Sequence, residues 1–155
     1  LVCDEVMAGF GRTGKMFAFE HGNIIPDIVT MAKGLTSSYL PLGAMAMREP
    51  IANHFRENVF WGGLTYNSHP VALRAAEAAI DVLLDENLVG RAATLESVMS
   101  REFDKLAEKH PSFKTGRALG LFGIMDIQKD AQGTPIAPYN GSHPAMAARY
   151  CPPSP

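Results

Sequence analysis

Two side chains near the start of the sequence, Asp4 and Lys33, are of types that could share one reactive site. Asp4 follows the apolar run Leu1–Cys3, and Lys33 closes a second run, DIVTMAK (residues 27–33), rich in β-branched residues. If both runs are parallel strands of one sheet, both side chains emerge at its carboxyl edge, where open α/β sheets take their ligands. An acid and a lysine there suit pyridoxal phosphate: the amine forms an imine with the cofactor aldehyde, and the carboxylate keeps the pyridine nitrogen protonated. A free lysine titrates at about 10.4, so an uncharged amine needs a tuned site. Acidic and basic residues end strands in most α/β proteins, and on spacing alone the plain strand-end reading comes first.

Two other stretches have chemical potential. GFGRTGK (residues 9–15) matches the phosphate-loop spacing of Gly, four residues, Gly and Lys. The next residue should carry a hydroxyl for magnesium, and it is Met16; His21-Gly22-Asn23 then breaks the helix that should follow. A nucleotide loop is therefore not expected. Thr65, in GGLTYNSHP before Pro70, could hold a phosphate with backbone amides near a helix start. Locally, a simple capping loop accounts for the same residues.

The elements that must position these groups are legible in outline. Leu1–Cys3 and residues 27–33 read as strands, separated by enough chain for a crossover, so they can be parallel. Residues 9–14 form a glycine-tight loop, and Met16–Gly22 a short helical turn. Gly43–Met47 reads as a third strand, antiparallel to the second because the bend GLTSSYLPLG is too short for a crossover helix. Glu49–Glu57 reads as a helix with Pro50 in its first turn. Pro70 starts another, with Leu73, Ala76, Ile80 and Leu83 or Leu84 at helical spacing. A third runs from about Val89 to Lys109, its stripe of Ala92, Leu95, Met99, Phe103 and Leu106 reading as core. Arg117–Ile127 reads as one strand and QKDAQGTPIAPYNGSHP as loop, with a subdomain boundary near Glu86–Leu88. YNSHP and YNGSHP look alike, but each reads as ordinary helix-start chemistry rather than a repeat.

Composition bounds the function. The 155 residues, 46% hydrophobic and 19% charged with net charge −2, suit a globular domain and argue against an electrostatic nucleic-acid binder. No apolar run reaches the roughly 20 residues of a membrane span. Cys3 and Cys151 cannot make a disulfide framework, so a reducing compartment is the default. The chain starts at Leu1, inside an apparent strand, and finishes on CPPSP, and together the two ends suggest a fragment.

Taken together, DEVMAGFGRTGKMFAFEHGNIIPDIVTMAKGLTSSYLPLGAMAM closely resembles the class III aminotransferases, the omega-amino-acid group of fold-type-I pyridoxal phosphate enzymes. Asp4-Glu5-Val6, Gly9 to Gly14, Pro26-Asp27, Lys33-Gly34 and Pro41 to Ala44 follow the family's order, and Thr65, Tyr66, His69 and Pro70 match its Thr-Tyr-x-x-His-Pro element. The resemblance covers roughly residues 1 to 127, extending toward Ala148. It implies an α/β fold: residues 1–86 as the C-terminal part of a large cofactor domain, mainly parallel sheet with helices, and 87–148 as the beginning of a small α+β domain, with 149–155 an atypical tail.

The resemblance also implies roles. Lys33 would bind pyridoxal 5'-phosphate covalently and shuttle a proton. Asp4 would pair with the pyridine nitrogen, Val6 would pack on a ring face, and Thr65 would bind the phosphate across a homodimer interface. Arg12 would be structural, His69 a helix cap, and Trp61 and Tyr39 pocket or packing residues. The implied activity is transfer of an amino group from an omega-amino acid or amine to a keto acid such as pyruvate, with no metal, nucleic acid or membrane involved. A same-fold aminomutase or lyase, and a non-catalytic remnant, are the rival expectations. A cytoplasmic location is the default, an organellar one staying open because a targeting segment would precede Leu1. Family members are longer, with a phosphate loop and a stacking aromatic before Asp4 and a carboxylate-gripping arginine beyond this sequence. The chain alone is thus expected to bind the cofactor poorly.

Overall fold

The computed structural model describes residues 1–137. Residues 138–155, which include Cys151 and the expected tail, lie outside the described residues, as do the second Ser-His-Pro element and the far end of the 87–148 segment. Three short strands form one sheet in the order β1 (Val2–Asp4), β2 (Ile28–Met31), β3 (Ala44–Met47). β1 and β2 are parallel, with Val2 opposite Ile28 and Asp4 opposite Thr30. β3 returns antiparallel to β2, with Ile28 opposite Met47 and Met31 opposite Ala44. The expected pairing directions hold for a physical reason: the connection from β1 to β2 is long enough to cross over, and that from β2 to β3 is not.

Helix α1 (Glu49–Glu57) carries Pro50 in its first turn, and α2 (Pro70–Asp85) begins on Pro70, positions where a missing N–H costs nothing. Asn87, in the left-handed region at φ 49°, separates α2 from α3 (Leu88–Lys109). Asparagine is one of the few side chains that tolerate that conformation. α2 packs on the 3₁₀ turn Lys33–Thr36, and the side chains buried on those two elements are Ala72, Ala76, Leu35 and Thr36. Of the stripe expected on α2, Ala76 is buried and Ile80 and Leu83 are half-buried, but Leu73 and Leu84 are exposed, and the other buried position is Ala72. On α3 the expected side is inward at Ala92, which is buried, and at Leu95, Met99 and Phe103, which are half-buried, but not at Leu106, which is exposed.

Residues Arg117–Ile127 do not form one strand. The chain makes a hairpin of β4 (Phe113–Leu119) and β5 (Phe122–Ile127), turning at Gly120 with φ 57°. That left-handed step reverses the chain, which alternation alone does not reveal.

Packing divides the described residues into two compact units, Leu1–Ser97 with Leu119–Phe122, and Val98–Ala118 with the described residues from Gly123 on. Within the second, Phe103 and Phe113 meet with ring centroids 6.1 Å apart. Gly116 and Gly123 make room there, since an added Cβ would lie 2.4 Å from the Phe103 ring and 2.8 Å from the Met99 sulfur. Among the described residues, no helix is long and apolar enough to cross a membrane.

Candidate cofactor site

Asp4 is the last residue of β1 and its side chain is exposed. Its Oδ1 accepts the Val6 N–H at 3.0 Å, which fixes the carboxylate over the turn that follows the strand. The next acid has the opposite fate. Glu5 is 2% exposed, and its two oxygens accept the N–H groups of Ala18 (3.0 Å) and Phe19 (2.9 Å) at the start of the 3₁₀ turn Ala18–Gly22. Successive side chains of an extended chain point to opposite faces, so one acid of the Asp-Glu pair is free for a ligand and the other anchors the backbone beside it. The Glu5 main chain extends the anchoring, its N–H donating to Thr30 O and its carbonyl accepting Gly9 N–H, both at 2.9 Å.

Lys33 opens the 3₁₀ turn that follows β2, in the left-handed region at φ 45°. Ser37 and Ser38 are left-handed as well, at φ 49° and 64°. A non-glycine residue in that region costs free energy and persists where the surroundings hold it. Here α2 packs on the turn, and the buried Thr36 hydroxyl donates to Leu40 O at 2.7 Å, closing the bend. Gly34 lies so near Phe10 that a Cβ would sit 2.9 Å from the Phe10 Cβ. The glycine loop thus lies against the lysine turn. The exposed Lys33 side chain ends beside the Met7 sulfur. Among the described residues neither Lys33 nor Asp4 forms an ion pair.

An open hollow of about 670 Å³ borders the lysine, lined by Lys33, Thr36, Ser38, Pro41, Gly43 and Leu64 among others. Leu64 brings the loop of Thr65 to the hollow's rim, and Thr65 itself is exposed. Asp4, Val6 and Lys33 thus share one sheet edge, and Thr65 stands exposed in its own loop.

The glycine loop is packing rather than a phosphate cradle. Gly11 (φ 85°) faces Val89, and at Gly14 (φ 82°) a Cβ would lie 2.9 Å from the Ala93 Cα. Thr13 is buried, its hydroxyl within 3.1 Å of His21 Nε2. The Gly120 N–H donates to Glu96 at 2.6 Å, and the Leu121 N–H donates to the Arg12 carbonyl at 2.9 Å. His69 occupies the residue before α2 without a side-chain capping bond, its ring instead 6.3 Å from Tyr66. Trp61 and Tyr39 are 94% and 82% exposed, so neither is core in this chain. Glu5 and Thr36 shape the site without having been singled out from sequence. Glu5 alone left a trace, as the second of two acids at a strand end. Among the described residues, no group of three or more His, Cys, Asp or Glu is placed to hold a metal ion.

A parallel strand pair followed by helices, with a carboxylate and a lysine at one edge, makes this an α/β domain. The chain belongs to the class III aminotransferase family: the family model described as aminotransferase class-III matches residues 1–146. It is 36% identical to the uncharacterized aminotransferase y4uB of Sinorhizobium fredii, over 85% of this chain and 29% of that protein. Among solved structures it is similar to a taurine:2-oxoglutarate aminotransferase from Bifidobacterium kashiwanohense, solved in complex with PLP and glutamate. That match has a TM-score of 0.89 at 37% identity and covers 94% of this chain and 33% of the other. An S-selective transaminase from Arthrobacter sp. with alanine bound matches with a TM-score of 0.83 at 40% identity, over 88% of this chain and 29% of its own. The chain spans about 30% of the length of the curated relatives it matches.

Proposed function

We propose that this chain carries the cofactor-holding centre of a pyridoxal phosphate-dependent aminotransferase, which moves an amino group from an omega-amino acid or amine to a keto acid such as pyruvate. The observation that carries the reading is the parallel register of β1 and β2, which brings Asp4 and the turn of Lys33 to one edge. The donor set fits the cofactor: an exposed lysine and an exposed carboxylate, neither engaged in an ion pair among the described residues. When bound, pyridoxal phosphate supplies an aldehyde for the amine and an electron-withdrawing ring that stabilises negative charge on the substrate carbon.

The chain's own residues do the rest. Lys33 holds the cofactor and, once released, is the base that moves a proton at the substrate carbon. Asp4, oriented by the Val6 N–H, keeps the ring nitrogen protonated. Val6 packs on one ring face. Thr65 holds the phosphate of the neighbouring site in a homodimer, which is why it needs no contact with Lys33 of its own chain.

Residues 1–86 are read as the C-terminal part of the large domain and 87–148 as the beginning of the small one. The packing units divide later, within α3, because the first turns of α3 lie on the glycine loop. A cytoplasmic location belongs to the same reading. The test is absorbance of the full-length protein mixed with pyridoxal phosphate. A visible band that Lys33→Ala removes, with amino-group transfer to a keto acid, is the expected result. A band that survives the substitution refutes the assignment of Lys33.

A further inference from the structure

Glu5 is a buried acid that none of the roles above uses. Burying a carboxylate costs free energy unless hydrogen bonds replace its water. Here both oxygens are taken by main chain, the Ala18 and Phe19 N–H groups, and among the described residues no cation pairs with it. The opening N–H groups of a helical turn have no partner within it, so those of Ala18 and Phe19 are free to reach Glu5. The Glu5 main chain is tied as well. Its N–H donates to Thr30 O in β2, and its carbonyl accepts the Gly9 N–H. One residue thus fixes the end of β1 in three directions: to the strand that leads to Lys33, to the glycine loop and to the turn Ala18–Gly22. On either side of it stand Asp4 and Val6, the two residues read as facing the cofactor ring. Among the described residues the Asp4 carboxylate has one hydrogen bond, from the Val6 N–H inside the same turn. Its direction is therefore set by the main chain of residues 4–6, and Glu5 fixes that main chain.

We propose that Glu5 is a positioning residue for the reaction: through the main chain between them, its buried carboxylate aims Asp4 at the ring nitrogen. An isosteric Glu5→Gln turns an amide NH2 toward one of the two N–H donors, so that bond is lost and the end of β1 loosens. Asp4 then keeps its charge but not its place, and misplacing a group by about 1 Å can cost about 10²-fold in rate. The effect on catalysis rests on Asp4 serving the cofactor as proposed above, whereas the anchoring of its turn does not.

Two measurements on the full-length protein test this. The first is amide hydrogen exchange without cofactor, in the parent and in Glu5→Gln. The Val6 amide is expected to exchange about tenfold faster relative to the Ala76 amide of α2, the scale of losing a hydrogen bond to a charged group. A residue that only stabilised the fold would speed both alike, so an unchanged ratio overturns the proposal. The second is a double-mutant cycle in kcat with pyridoxal phosphate bound. Glu5→Gln should lower kcat about tenfold or more in the parent but less than about twofold in an Asp4→Asn background, where no charge is left to aim. Equal losses in the two backgrounds, or an unchanged kcat in the parent, overturn the proposal. Ala18→Pro deletes one donor and leaves the carboxylate, at a first helical position that accepts proline and after an extended Phe17 (φ −130°, ψ 145°). It should move the Val6 ratio and kcat in the same direction, and it replaces Glu5→Gln in both measurements if that variant does not fold. An Asp4→Asn protein with kcat unchanged overturns the proposed function, and with it the role at the ring nitrogen, while the exchange ratio still decides the anchoring.

Discussion

Asp4 lies directly across from Thr30 in the parallel pairing of β1 with β2, so both strands end at the same level and Lys33 follows just beyond. This register gives the carboxylate and the amine one working edge. Replacing Asp4 with Asn keeps the shape and removes the charge that would hold a ring nitrogen protonated. In the full-length protein Asp4→Asn is expected to lower kcat by about 10²–10³-fold, the usual scale for losing one preorganised electrostatic partner. The folded state should be unaffected, because the Asp4 side chain is exposed. Steady-state kinetics beside a thermal melt checks both halves. A kcat within a few-fold of the parent would separate Asp4 from the cofactor.

Gly14 is pressed against Ala93, and its φ of 82° is a second obstacle to any side chain. Gly14→Ala is expected to cost about 1–3 kcal/mol, from overpacking and from a left-handed backbone together. Gly63 is the control: nothing lies within 4 Å of a Cβ built there, so Gly63→Ala should stay within about 0.5 kcal/mol. Urea midpoints of the two variants test the pair. Equal midpoints would mean that the loop does not depend on its contact with α3.

Asp130 closes the turn after β5, its Oδ1 accepting the Gln132 and Thr134 N–H groups at 3.1 Å each. Its carboxyl sits below the ordinary carboxylate range, chiefly through a hydrogen bond from the Thr134 side chain and then through the Thr134 backbone N–H. A depressed folded pKa gives a contribution that is full above the unfolded value and is lost as pH falls through the folded one. The turn should therefore hold at neutral pH and loosen in acid, below the usual titration of aspartate. Protection factors of the Gln132 and Thr134 amides should fall across that acid range, and Asp130→Asn should flatten the dependence. A pH-independent profile in the parent would contradict the assignment.

Much of this was legible because chain length decides geometry. The bend from Lys33 to Gly43 is too short for a crossover, which fixed β3 as antiparallel, and Pro50 and Pro70 marked two helix starts. The hairpin at Gly120 was not legible, because what requires glycine there, the backbone of Thr13 and Gly14 lying where a Cβ would stand, is remote in sequence. On α2 the periodicity found Ala76, Ile80 and Leu83 but put Leu73 inward and passed over Ala72, because the close approach of the Lys33–Thr36 turn favours a small buried side chain there. Asp4 and Lys33 stood out because their types are chemically specific at strand ends.

Thr65 is exposed in its loop, the placement that a residue serving a neighbouring subunit would have. If it holds the partner's phosphate, Thr65→Ala in the full-length protein should weaken cofactor binding about tenfold or more, the scale of a hydrogen bond to a charged group. The urea midpoint should not change. The decisive form of the test mixes subunits. In a heterodimer of a Lys33→Ala chain with a Thr65→Ala chain, service across the interface puts both defects in one site and leaves the other intact. The mixture should then recover a tight-binding, active site that neither homodimer has. If Thr65 serves its own chain, each site of the heterodimer carries one defect and no such site appears. Cofactor titration of the mixed dimer, followed by its visible band, decides between the two.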